Sequence, residues 1–218
     1  GLCKTFDGRA DGYARSEACG AVVLEKSDVR AHVKGTAVGQ DGRSASFMAP
    51  NGTAQEEVIR ATLQVAQLLE VASVEAHGTG TALGDPIEVG ALHRVLGGTH
   101  QSSSVLLGAF KTQIAHTEGA AGMAGLWRVV HTLWACQMPP NLHLLQHNPK
   151  LDLEGFAVHT PSQTSTAVAD SMGVSSFGYS GTNSHAVLCG QDQTQATSHQ
   201  FLTVVCYQPV AFLVVVSR

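Results

Sequence analysis

Two histidines stand apart from the rest of the chain by their surroundings. His77 is followed at once by Gly78, Thr79, Gly80 and Thr81, and His116 lies between Gln113-Ile114-Ala115 and Thr117-Glu118-Gly119. Each is read as closing a strand and opening a loop of small residues, where a neutral imidazole can reach a substrate and donate or accept a hydrogen bond. In a chain with 11 histidines, any single one is ordinarily a hydrogen-bonded surface or core residue, so the setting carries the argument. Asp85 and Glu88 could be a pair of catalytic acids. However, Asp85, Pro86 and Glu88 also spell an N-cap, a first-turn proline and a capping-box acid, and both are expected to be structural. His143 and His147 have the four-residue spacing of zinc ligands on a helix, but no glutamate accompanies them and Pro139 and Pro140 lie just upstream; no metal site is expected. Cys3, Cys19, Cys136, Cys189 and Cys206 form no Cys-x-x-Cys pair, and none sits where a nucleophile is expected.

The elements that must position these histidines alternate between strand and helix. Cys19 to Glu25 and Val29 to Val38 read as strands, carried by Val22, Val23, Val33 and Val38. A helix is expected from Thr53, its cap, with Glu56 as reciprocal acid and Val58, Ile59, Leu63 and Ala66 at helical spacing, ending near Leu69. Val71 to Ala76 is a short strand feeding the His77 loop, and a second helix starts at Asp85. Ser104 to Ala109 reads as a strand, Lys111 to Glu118 as a polar turn, and Gly119 to Cys136 as a long helix ended by Pro139 and Pro140. Its small residues, Gly119, Ala120, Ala121, Gly122, Ala124 and Gly125, suit close backbone approach in a core or subunit interface. Gly173 to Leu188 reads as a hairpin with an irregular tip.

Composition narrows the function classes. A net charge of −4 with no run of Lys or Arg gives no footprint for nucleic acid or an anionic membrane surface. The odd cysteine count and absence of disulfide spacing fit a reduced, cytoplasmic setting. No leader follows Gly1, and the chain is expected to start within a longer protein. Residues 191–200 read as a linker, and the apolar stretch after them, interrupted by Tyr207, Gln208 and Pro209, falls short of a membrane-spanning helix. The expected division is therefore 1–190 as one folded portion and 191–218 as a linker-like segment with an apolar tail.

The segments VEAHGTGTALGDPIEVGAL from Val74, FKTQIAHTEGAAGMAG from Phe110 and GVSSFGYSGTNSHAVL from Gly173 resemble the ketosynthases of polyketide and fatty acid synthases. CKTFDGRADGY near the start, GQDGRSASFMAPNG from Gly39 and PPNLH from Pro139 extend the likeness in family order. The resemblance implies the C-terminal half of a β-ketoacyl synthase domain of a modular polyketide synthase, with an α/β, thiolase-like layered fold. It implies decarboxylative condensation: a cysteine carries the acyl chain and a malonyl-type thioester loses carbon dioxide. The carbanion then attacks the acyl group. On the same footing, His77 and His116 hydrogen-bond the extender thioester oxygen as it becomes an enolate, and Lys111 orients and tunes them. Thr79 and Thr81 hold the phosphopantetheine arm, with ordinary turn chemistry as the alternative. Tyr179 supplies an oxyanion-hole N–H and Phe177 flanks that gate. No bound cofactor is implied; the partners are acyl carrier protein, its acyl and malonyl-type thioesters, and a second copy in the intact enzyme.

The chain also departs from that family. Its nucleophile lies in an Asp-Thr-Ala-Cys type elbow, which this sequence lacks, so an inactive remnant or a non-catalytic partner of intact synthases stands as the alternative. The stretch from Leu24 to Val33 is shorter than usual. Gly39 replaces an Asn, and Gln113-Ile114-Ala115 replaces Asn-Ile-Gly, which adds a methyl group beside His116. The tail PVAFLVVV resembles the first strand of an acyltransferase domain.

Overall fold

The computed structural model describes residues 1–26, 29–42, 49–98, 104–166, 170–190, 203–207 and 210–214. Its elements are, in order, β1 (Glu17–Ala18), β2 (Ala31–Gln40), α1 (Gly52–Ala66), β3 (Ser73–Glu75), α2 (Gly84–Leu96), β4 (Val105–Gly108), α3 (Lys111–Ile114) and α4 (Ala121–Ala135). There follow β5 (Gln137–Met138), β6 (Val158–His159), β7 (Ser165–Thr166), β8 (Ser171–Phe177), β9 (Thr182–Gly190), β10 (Thr203–Tyr207) and β11 (Val210–Val214). Six of the strands make one sheet in the order β2-β9-β8-β3-β4-β6. The β2, β9 and β8 neighbours are antiparallel, and β8, β3, β4 and β6 run parallel.

Side-chain alternation along the strands builds two cores from one sheet. Val105, Leu107 and Val187 face a core shared with Val58, Ile59 and Leu63 of α1 and Val89, Leu92 and Leu96 of α2. The residues between them, Leu106, Ala186 and Leu188, face Val129 and Leu133 of α4. Helices therefore cover both faces, the layered α/β arrangement expected from the resemblance. Burying a side chain such as Leu92, which is wholly enclosed, is worth about 2 kcal/mol, so these cores fix the strand ends that carry the loops. Glycine sets how closely α4 lies on the sheet: a Cβ on Gly125 would come 3.1 Å from Val174, and one on Gly122 would come 2.8 Å from Ser176.

Several local expectations are corrected. Cys19 to Glu25 is not a strand; only Glu17–Ala18 pairs, with β11. Among the described residues no sheet neighbour lies beside Val22, Val23 and Leu24, which are exposed. The N-cap of α1 is Asn51 rather than Thr53, its side chain accepting from the N–H groups of Thr53 and Ala54. Glu56 accordingly makes no capping box; it binds Arg60 and Arg94, tying α1 to α2. The helix also stops at Ala66, with Gln67 left-handed at φ 57°. α2 begins at Gly84 with Leu83 in the N-cap position, whose side chain makes no cap bond, and Asp85 and Glu88 are spent elsewhere. The polar turn after β4 contains the short helix α3, and a 3-10 turn at Glu118–Ala120 delays α4 to Ala121. α4 closes at a left-handed Cys136, before the two prolines.

The linker read at 191–200 and the centre of the motif from Gly39, residues 43–48, lie outside the described residues. Of the apolar tail, β10 and β11 pair antiparallel with each other.

Candidate active site

The parallel strands β3, β4 and β8 deliver the sequence-selected residues beyond their C-terminal ends, on one side of the sheet. His77 stands two residues after the end of β3, and its ring lies 5.5 Å from that of His116, edge to face. Phe177, the last residue of β8, packs its ring 5.9 Å from His77. Lys111, the first residue of α3, is buried rather than extended along the surface. His116 does not close a strand as expected; it sits in the turn between α3 and α4.

The His77 loop is held from two sides. Glu88 accepts the N–H groups of His77 and Gly78 at 2.7 and 2.8 Å, and Asp85 accepts those of Gly80 and Phe6, both at 2.9 Å. These acids therefore hold the histidine loop instead of capping their own helix. Gly78 and Gly80 have φ of 49° and 73°, a region that disfavours a side chain. A Cβ on Gly78 would also approach Ala109 to 2.7 Å and Thr5 to 2.8 Å. Thr81 Oγ1 accepts from the Gly84 N–H at the start of α2 and lies 3.0 Å from Thr79 Oγ1. Both hydroxyls thus do turn work.

His116 is gripped by the N-terminal segment, which composition does not single out. Its N–H donates to Ala14 and its carbonyl accepts from Ser16, and the Tyr13 ring lies 4.7 Å from its imidazole. Aromatic contact with a histidine has no short sequence signature, so Tyr13 is legible only as part of the ADGY run. The Glu118 N–H donates to His116 Nδ1 at 2.9 Å. That bond assigns the ring proton of the neutral tautomer to Nε2. Burial holds the His77 pKa well below the usual histidine value, with Lys111 and His116 adding to the effect. Burial, then Lys111 and Arg15, push His116 down to about 4. At neutral pH both rings are uncharged, each with one N–H to give. Lys111 is itself lowered by burial, opposed by the charges of Glu75 and Glu88.

Ala115 adopts φ 63°, ψ −172°, so the methyl that the sequence places next to His116 strains the backbone. Tyr179 lies at the tip of the hairpin, two-thirds exposed. His147 Nε2 lies within hydrogen-bond distance of Thr160 Oγ1, and among the described residues no group of three His, Cys, Asp or Glu is placed to hold an ion. Cys3, Cys19, Cys136 and Cys189 are free thiols, and burial raises the pKa of Cys3, which lies against the His116 backbone.

Residues 30–145 match the model of the β-ketoacyl synthase C-terminal domain and residues 1–29 that of its N-terminal domain. The chain belongs to the β-ketoacyl synthase family. It is the C-terminal half of a ketosynthase domain of the modular, type I polyketide synthases. It is 46% identical over 203 residues to a phenolphthiocerol/phthiocerol polyketide synthase of Mycobacterium tuberculosis, covering 86% of this chain and 11% of that protein. With a spectinabilin polyketide synthase system protein of Streptomyces orinoci it shares 44% over 211 residues, covering 90% of this chain and 6% of the relative. The solved oxazolomycin ketosynthase domain of Streptomyces albus superposes with a TM-score of 0.79 at 28% identity, over 94% of this chain and 39% of that one. The ketosynthase half therefore spans about a tenth or less of these curated relatives and two-fifths of a solved domain. Among the described residues no helix is long and apolar enough to cross a membrane.

Proposed function

We propose that this chain supplies the two-histidine half of a decarboxylative condensing site, acting on acyl and malonyl-type thioesters carried on the phosphopantetheine of acyl carrier protein. The observation that carries the reading is the pair of neutral imidazoles 5.5 Å apart, one with its proton assigned to Nε2 by the Glu118 N–H.

Loss of carbon dioxide from a malonyl thioester leaves negative charge on the thioester oxygen. Two convergent N–H donors stabilise that enolate without a proton having to leave the site. Neutral rings suit the task because they donate without forming an ion pair with the malonyl carboxylate, which must depart. Burial keeps them neutral, and the charge of Lys111 adds to the effect. Phe177 walls the site beside His77, and the Tyr179 backbone at the hairpin tip is assigned the oxyanion-hole donor for the acyl thioester. Thr79 and Thr81 are the hydroxyls assigned to the phosphopantetheine arm. The nucleophilic cysteine belongs to the other half of the domain. The test is chain extension by the intact synthase carrying His77→Ala: a loss of about 100-fold or more is expected, and an unchanged rate refutes the assignment.

A further inference from the structure

A small cavity lies between β3, β8 and α4, next to the segments that carry the two histidines. It has about 10 Å³ of room for the centre of a water molecule, and its polar lining is Glu75, Lys111, Thr117 and Ser175, all buried. α4 contributes only alanine and glycine to the walls, which is what leaves the space open: a Cβ on Gly125 would already come 3.4 Å from Glu75 Cγ. Glu75 Oε1 accepts the Phe110 N–H at 2.6 Å. Its Oε2 lies 3.1 Å from Arg128 Nη1 but without the alignment of a hydrogen bond, and Thr117 Oγ1 likewise has no hydrogen-bond partner among the described residues. Ser175 Oγ lies 3.0 Å from His185 Nδ1, and a hydroxyl that makes one such bond can still make another. Burying an oxygen without a partner is costly. An internal water removes that cost where a cavity has room for it and offers two to four polar groups, and this cavity meets both conditions.

We propose that the cavity is a binding site for one internal water molecule, held by Glu75 Oε2 and Thr117 Oγ1, which bridges the segment carrying His77 to the turn carrying His116. Glu75 ends β3 two residues before His77, and Thr117 directly follows His116, so a molecule bonded to both oxygens links the two histidine-bearing segments from behind. Water suits the site because it donates to the carboxylate and either donates to or accepts from a hydroxyl. A cation would instead meet Lys111 in the lining and Arg128 beside the same carboxylate. The water site stands on the cavity and its oxygens alone; its use in positioning the histidines rests on the donor roles given to them under the proposed function.

The test uses the complete ketosynthase domain, the unit in which the Streptomyces albus relative was solved. A high-resolution crystal structure is expected to show density for one water within about 3.2 Å of both Glu75 Oε2 and Thr117 Oγ1. Thr117→Val keeps the shape of the side chain and removes the hydroxyl. With a water bound there, the variant unfolds about 2 °C below the native domain, and its malonyl-carrier-protein decarboxylation falls about tenfold in kcat with KM within twofold. Thr117→Ser retains the hydroxyl and restores the native rate to within twofold. A cavity without density, or density out of reach of either oxygen, overturns the water site. So does a Thr117→Val domain more stable than the native one, the result expected of a hydroxyl buried with no partner. A native kcat in Thr117→Val overturns the positioning role. His77→Ala in the same assay separates this from the reading beneath it: full activity of that variant with the water in place defeats the two-histidine assignment and leaves the water site standing.

Discussion

Ala115 is the residue at which sequence and structure meet most directly. The sequence flags its methyl as an addition next to His116, and the backbone holds it at φ 63°, where a Cβ costs about 1 kcal/mol or more. Ala115→Gly is therefore expected to raise unfolding free energy by about 1 kcal/mol in a urea titration. A second residue-scale expectation concerns His185, which lies within the motif from Gly173 but is given no role there. It is fully buried, shares a hydrogen bond with Ser175, and burial lowers its pKa to about 4. The unfolded chain takes up that proton near pH 6.5 and the folded one only near 4. Stability from this group is therefore complete above 6.5 and is lost as pH falls toward 4, by about 3 kcal/mol. Unfolding measured across that window is expected to flatten in His185→Gln; an equally steep acid limb would show that His185 is not its source. The burial of a lone histidine inside a run of polar residues, Ser175 to His185, is not legible in one dimension because it depends on which strand face α1 covers.

At the scale of elements, the sequence located the helices and missed how they begin. Apolar spacing placed α1 and α2 well, since burial against the sheet decides their existence. Their caps were misread because several residues of similar chemistry stand close together: Asn51 and Thr53 both suit an N-cap, and Asn51 also donates to the Asp41 carbonyl. Asn51→Ala is expected to cost about 1 kcal/mol of stability and Thr53→Ala less than half of that; the reverse order in thermal unfolding contradicts the assignment. Asp85 and Glu88 have the spacing of a capping pair, yet their oxygens serve the loop that the preceding strand delivers. That use was hidden because their partners lie outside the helix, in the loop before it and, for Phe6, far away in the chain. The strand expected at Cys19 to Glu25 failed for a related reason: β-branched residues favour a strand only when a neighbour exists to pair with it.

For the whole molecule, the fold was legible through resemblance and not through composition. Ordered motifs pointed to the thiolase-like layers, and the six-stranded sheet with helices on both faces agrees. Loop-borne motifs carry that signal because they are the parts the scaffold holds in fixed relation. What sequence could not supply was the angle between the histidines, their common neutrality and the buried Glu75, all of which arise from packing between α2, α3, α4 and the parallel strands. Met123, Trp127 and Trp134 of α4 are not fully buried, a surface in keeping with a chain that spans only part of its solved relatives.

The central claim is that His77 and His116 act together as neutral donors to the extender enolate. It is tested most directly by carbon dioxide release from malonyl-carrier protein in the intact synthase, comparing the native enzyme with His116→Ala and measuring acyl loading in parallel. The expected result is a decarboxylation rate lower by about 100-fold or more with loading retained; decarboxylation at close to the native rate contradicts the account.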